Sequence, residues 1–213
     1  MSDQLPSGGV ELSPGEIEAL DARWSSCWTP SEVAQRLDGI GTPWYVAAGW
    51  ALDLFRGQQA RAHGDIEIAI PAMSFPEVRH RFPRYVFDAV GSGRVWEDAT
   101  PEVLAAVHQT WVRDPGTGNY LLDVFREPHD GDTWICRRDE GIRLPYSDII
   151  HHTQDGIPYL VPELVLLFKA KHARRKDRSD FETTLPHMAP AQRETLAELL
   201  DRVHPGHPWI VDL

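Results

Sequence analysis

A chain of 213 residues, 42% hydrophobic and 25% charged, has ordinary globular composition and the length for one large domain or two small ones. Its two cysteines, Cys27 and Cys136, are too few and too far apart for a zinc site or disulfide framework, and no apolar run is long enough to span a membrane. With a polar start at residues 1–9 that lacks the features of a cleavable signal, this reads as a reduced, cytoplasmic protein. The net charge of −11 argues against a nucleic-acid partner, because proteins that track nucleic acid present a basic face and gain affinity by releasing counterions.

The first elements announce themselves by their caps. Ser13-Pro14-Gly15-Glu16 and Thr29-Pro30-Ser31-Glu32 are capping boxes with proline at the first helical position, opening helices to about Trp24 and Leu37. The run Trp44-Tyr45-Val46-Ala47-Ala48-Gly49-Trp50 then reads as strand, tight turn and helix, with Trp50 near the helix start. In Arg61-Ala62-His63-Gly64-Asp65-Ile66-Glu67-Ile68-Ala69-Ile70, isoleucines alternate with acids, the period-2 pattern of a half-buried strand.

Ser74-Phe75-Pro76-Glu77 opens a further helix to about Phe82, followed by a strand over residues 85–88 and a glycine turn at 91–93. Strands over residues 107–112 and 120–125 flank the turn Asp114-Pro115-Gly116-Thr117-Gly118, which predicts a hairpin. A second hairpin is expected at 134–137 and 142–144, and a last strand at 157–160. From Pro162 onward the pattern is helical, ending in an amphipathic segment at 190–203.

Three of these elements carry chemistry. Asp65 and Glu67, two apart on a strand, share one face at a spacing of roughly 6.5 Å, while the isoleucines anchor the other. Two carboxylates so placed suit a hard divalent cation, since Mg²⁺ takes one or two carboxylates plus substrate phosphates. Gly49 allows a phosphate close to the backbone where the next helix offers unpaired N–H groups; it equally serves simply to make the turn. Asp123, inside the apolar run Tyr120-Leu121-Leu122-Asp123-Val124-Phe125, is a costly buried acid unless it is paired or binds metal.

Taken together, a small-residue turn (Ala48-Gly49-Trp50), Arg-x-His-x-Asp-x-Glu on the next strand and a lone later Asp resemble the polymerase-beta-type nucleotidyltransferases, within them the aminoglycoside and lincosamide branch. The likeness is clearest over residues 44–125, and the later Lys169-Ala170-Lys171-His172-Ala173-Arg174-Arg175-Lys176-Asp177-Arg178-Ser179-Asp180 resembles the family's Lys-rich helix. One position departs: Ala48 stands where the family pattern has the first glycine, and is strained if that position needs positive φ.

The resemblance implies an α+β nucleotidyltransferase fold, a small mixed sheet with flanking helices and a C-terminal helical part. It divides into N-terminal helices at 1–40, a core at 41–160 and a helical region at 161–213. It implies transfer of a nucleoside monophosphate, AMP first among them, from a Mg-bound NTP to a small-molecule hydroxyl such as that of an aminoglycoside, releasing pyrophosphate. Asp65, Glu67 and Asp123 would be both the catalytic acids and the ligands of one or two Mg²⁺ ions. Asp123 either completes a metal shell or acts as base on the acceptor hydroxyl.

Phosphate contacts fall to Ala48, Gly49, Trp50, Arg61, His63, Lys169, Lys171 and Lys176, with Lys171 first among the lysines and Asp177 and Asp180 as ion-pair partners or caps. Trp50, Trp96 and Trp111 lie near enough to the motifs to line an acceptor pocket. No membrane partner is expected, and the chain would act as a monomer or homodimer. Two other readings stand beside this one: a toxin-like nucleotidyltransferase acting on tRNA or protein, and a nucleotide-binding module without turnover.

Overall fold

In a computed structural model, residues 5–213 are described, so the first four residues of the polar start lie outside the described residues. The chain begins with β1 (Val10–Glu11), α1 (Pro14–Arg23) and α2 (Pro30–Arg36). Both helices open on the expected capping boxes: Ser13 and Thr29 accept the amides of Glu16 and Glu32, whose carboxylates return to the cap amides at 2.8 Å.

Next come β2 (Tyr45–Val46), α3 (Ala48–Arg56), β3 (Glu67–Pro71) and α4 (Phe75–Arg81). A hairpin of β4 (Val86–Gly91) and β5 (Arg94–Trp96) precedes α5 (Pro101–Ala106), and a second joins β6 (Gln109–Arg113) to β7 (Tyr120–Glu127). Then follow β8 (His129–Asp130), β9 (Thr133–Ile135), β10 (Arg143–Pro145), α6 (Tyr146–Ile149), β11 (Ile150–His152) and β12 (Pro158–Leu160). Helices α7 (Pro162–Ala170), α8 (Arg175–Thr184) and α9 (Pro190–Val203) complete the order. Among the described residues no helix is long and apolar enough to cross a membrane.

The chain groups into two compact units, one of residues up to Trp44 with Gly64–Pro128, the other of Tyr45–His63 with His129–Leu213. In the first, six strands pair in the order β1-β5-β4-β6-β7-β3, antiparallel except for the parallel pair β3 and β7. This is larger than the small sheet expected, because β1 and β5 are too short to show a period and are joined only by pairing. The structure also adds α5, whose N-cap Thr100 accepts the amide of Val103. Ile66, Ile68, Ile70, Leu122 and Val124 are fully buried, so both strands that carry acids are anchored in apolar packing. Trp24, Trp111 and Tyr120 make a contiguous aromatic cluster with ring centroids 4.7–5.5 Å apart.

In the second unit β12 pairs parallel to β2 and antiparallel to β11, and β8, β9 and β10 form a meander. Its core includes Leu52, Leu166, Leu167, Leu196, Leu200 and a stack of Phe181 on Trp209 at 4.5 Å. The basic segment expected as one helix is two: α7 ends at Ala170, and Ala173 adopts φ +42 in the break. Asp177 causes the restart, its carboxylate accepting the Arg174 amide at 3.1 Å and so capping α8.

Candidate functional site

The acids belong to the first unit. β3 runs parallel to β7 with Glu67 in register with Asp123, and the Asp123 amide donates to the Ile66 carbonyl at 2.9 Å. Asp65 lies two residues ahead of Glu67. It stands just before the strand rather than within it, because regular pairing begins at Glu67. The alternation still holds: Ile66 and Ile68 are buried, Asp65 is exposed and Glu67 half-buried.

Asp123 is 2% exposed. Its Oδ2 accepts from Gln109 Nε2 at 2.6 Å and from the Trp111 indole N–H at 3.2 Å, both projecting from β6. Its Oδ1 is buried and, among the described residues, has no hydrogen-bond partner. Burial, followed by the negative charge of Glu67 and then Asp65, pushes the Asp123 carboxyl well above the ordinary range. Trp111, expected as a pocket wall, is instead buried and supports this acid; Trp96 is likewise core, donating to the Ser7 carbonyl. Gln109 escaped sequence reading, since a polar residue at a strand end carries no signal without its partner.

Among the described residues, no group of three or more His, Cys, Asp and Glu side chains is gathered as a ready-made metal cluster. Mg²⁺ does not require one, because substrate phosphates and water complete its shell. A buried, partnerless carboxylate oxygen beside two like charges fits a divalent cation in charge and in donor type.

The turn and the basic residues belong to the second unit. Helix α3 starts one or two residues earlier than expected, at Ala48, with Ala47 as an N-cap whose side chain accepts no hydrogen bond. Ala48 has φ +49, so the alanine is strained where the resembled pattern has glycine. Gly49 is needed for a different reason: a Cβ there would lie 2.6 Å from the His63 ring and 2.7 Å from Arg61 Nη2. Trp50 packs on the His63 ring with centroids 4.5 Å apart.

Asp53 is the centre of this packing. It accepts from Arg56, from the Ala60 amide at 3.1 Å and pairs with His63 Nε2 at 2.5 Å. Burial lowers the His63 pKa, and the hydrogen bond with Asp53 opposes that shift. The signal for Asp53 was present in Leu52-Asp53-Leu54-Phe55: an acid in an apolar stretch needs a cation.

Arg61 grips Asp180 with two parallel bonds of 2.8 and 2.9 Å, and Lys169 reaches Asp180 at 2.8 Å and Asp177 at 3.4 Å. Burial alone would raise the Asp180 carboxyl, but hydrogen bonds and charge from Arg61 and Lys169 outweigh it and hold the pKa at about 2. The expected pairing of Asp177 and Asp180 with the basic residues is therefore observed. Lys169 is committed to those acids, whereas Lys171 and Lys176 are exposed.

A family model described as aminoglycoside-2''-adenylyltransferase matches residues 31–103, the stretch that holds the turn, Arg61, His63, Asp65 and Glu67. The lincosamide antibiotic adenylyltransferase LnuA, solved with lincomycin bound, is 16% identical, with 84% of this chain and 100% of that one covered at a TM-score of 0.53. ANT(2'')-Ia in complex with adenylyl-2''-tobramycin is 14% identical, with 81% and 95% covered at a TM-score of 0.53. The solution structure of the antibiotic-resistance factor ANT(2'')-Ia is 15% identical, with 81% and 89% covered at 0.52. No curated protein matches in sequence. The chain resembles the aminoglycoside and lincosamide nucleotidyltransferases, and at these identities the structural likeness is one of fold.

Proposed function

We propose that this protein moves a nucleoside monophosphate, AMP from ATP first among them, to a hydroxyl of a small aminoglycoside-like antibiotic and releases pyrophosphate. The observation that carries this reading is the in-register pair of Glu67 and Asp123 on parallel strands, with Asp65 two residues upstream and Asp123 buried against neutral donors. Asp65, Glu67 and Asp123 would hold one or two Mg²⁺ ions, which supply charge neutralisation at the reacting phosphorus and the departing pyrophosphate.

The acceptor oxygen bonds to the α-phosphorus, and the bond from that phosphorus to the β-phosphate's bridging oxygen breaks. The acceptor proton goes to a carboxylate, and Asp123 suits that role because its surroundings make it a stronger base than an ordinary aspartate. Where Asp123 instead completes the metal's ligands, the proton leaves to water. Within the second unit, the start of α3 offers amides suited to phosphate, and Lys171 and Lys176 are exposed cations. Arg61 and His63 support that helix start through Asp180 and Asp53. Such an enzyme works in the cytoplasm, where both NTP and drug target are found.

Pyrophosphate release tests the reading, measured from ATP, GTP, CTP and UTP with Mg²⁺ against aminoglycosides, lincosamides and bulk tRNA, with Asp65→Asn as the blank. Release that needs one small acceptor and vanishes in the variant is expected. Release with tRNA alone would replace the acceptor by a macromolecule, and NTP binding without release from any mixture would point to a binding module.

A further inference from the structure

The second unit contains a cavity of about 380 Å³ whose lining shares no residue with the candidate site. That volume lies in the range of small-molecule pockets. Its walls are mainly hydrocarbon, from Leu144 on β10, Ile149 on α6, Leu164 on α7 and Leu199 on α9. Glu163, in the first turn of α7, sets a half-buried carboxylate among them. Its side-chain donor is the Gln192 amide, at a long 3.3 Å, and burial raises its pKa. Among the described residues no cation stands within ion-pair distance of it, which leaves a desolvated acid uncompensated.

Two arginines share the lining, and both are engaged. Arg202 binds Asp139 at 2.6 Å and lies across Gly141, where a Cβ would come within 2.4 Å of its Nη2. Arg143 donates to the Glu140 carbonyl at 3.1 Å. Asp148, also in the lining, adds a second negative charge at an exposed position.

We propose that this cavity binds a small organic ammonium ion, its hydrocarbon body against Ile149, Leu164 and Leu199 and its ammonium group on the Glu163 carboxylate. The apolar walls select the body, and the single uncompensated carboxylate selects the charge. An anion would meet two carboxylates, and a neutral molecule would leave Glu163 unanswered.

Titration calorimetry of the full chain with phenethylamine, 2-phenylethanol and phenylacetate tests this. Saturable binding of the amine is expected, at least tenfold tighter than the alcohol, with none of the anion. Methyl resonances of Ile149, Leu164 and Leu199 should shift with the amine. Glu163→Gln keeps the shape and the Gln192 contact, and should weaken the amine at least tenfold without moving the alcohol. Leu199→Trp fills the cavity and should abolish binding of the amine; melting curves of both variants would establish that they are folded. No saturable binding of the amine by the unaltered chain, equal binding of the amine and alcohol, or an affinity unchanged in Glu163→Gln would each overturn the proposal.

Discussion

Asp123 and Asp180 are buried to nearly the same degree, 2% and 3% exposed, yet the two units treat them in opposite ways. Asp180 in the second unit is answered by Arg61 and Lys169, and its pKa falls to about 2. Asp123 in the first is answered by an amide and an indole and stands beside two further acids, so its pKa rises. Burial costs both, and what differs is whether the chain itself supplies the compensating charge. An acid that receives its cations from within is framework; one left with neutral donors is poised to receive a cation or a proton from outside.

The sharpest way to break that contrast is to neutralise each acid in turn. Asp123→Asn should reduce pyrophosphate release on the order of 10³-fold while raising the stability of the metal-free protein by about 1 kcal/mol, because a repelled buried charge is removed. A melting curve beside the assay checks both halves, and a lower melting temperature would assign Asp123 to the framework after all. Asp180→Asn should do the reverse for stability. It leaves Arg61 and Lys169 without their shared acid and should cost about 3 kcal/mol, or roughly 6–12 °C in melting temperature.

The same pair gives a pH dependence. Because the folded Asp180 pKa, about 2, lies below the ordinary aspartate value near 3.9, its stabilisation is present above that value and is lost as pH falls through about 2. Melting measured between pH 5 and pH 2 should show this component in the unaltered chain and lack it in Asp180→Asn.

Smaller effects refine the picture within the second unit. Gly49→Ala drives a methyl into the His63 ring and the end of Arg61, and should cost about 2 kcal/mol by denaturant unfolding. Combining it with His63→Ala should cost less than the sum of the two, since the clash and the ring are then both gone. Ala48→Gly should be the mildest change. It relieves a φ of +49 at the expense of a more flexible unfolded chain, for a net gain below about 1 kcal/mol.

Much of the fold was readable where a local rule governs it. Both N-terminal capping boxes, the 114–118 hairpin turn and the span of α9 follow from caps, turn residues and periodicity acting within a few positions. What escaped reading is short or depends on distant partners. β1 and β8 are two residues each, α5 is six, and the break before α8 depends on Asp177 turning back to cap Arg174 within a run that reads as one basic helix. Arg61 looks like a surface cation on paper because the acid that claims it, Asp180, enters the chain 119 residues later.

The sequence by itself determined the local grammar of this protein: where helices start, which face of each strand is apolar, and that Asp65 and Glu67 share a side two residues apart. It also marked Asp123 as an acid in an apolar run, which must be either paired or used, and the same signal at Asp53 went unread. Only the tertiary structure decided which of those two fates each one meets. Arg61 and Asp180 are 119 residues apart, and Glu67 meets Asp123 through the register of two strands that α4, the β4–β5 hairpin, α5 and β6 separate in the chain. Spacing within a turn or strand is set by backbone geometry, whereas the charge that faces a buried carboxylate is set by how distant elements pack against it.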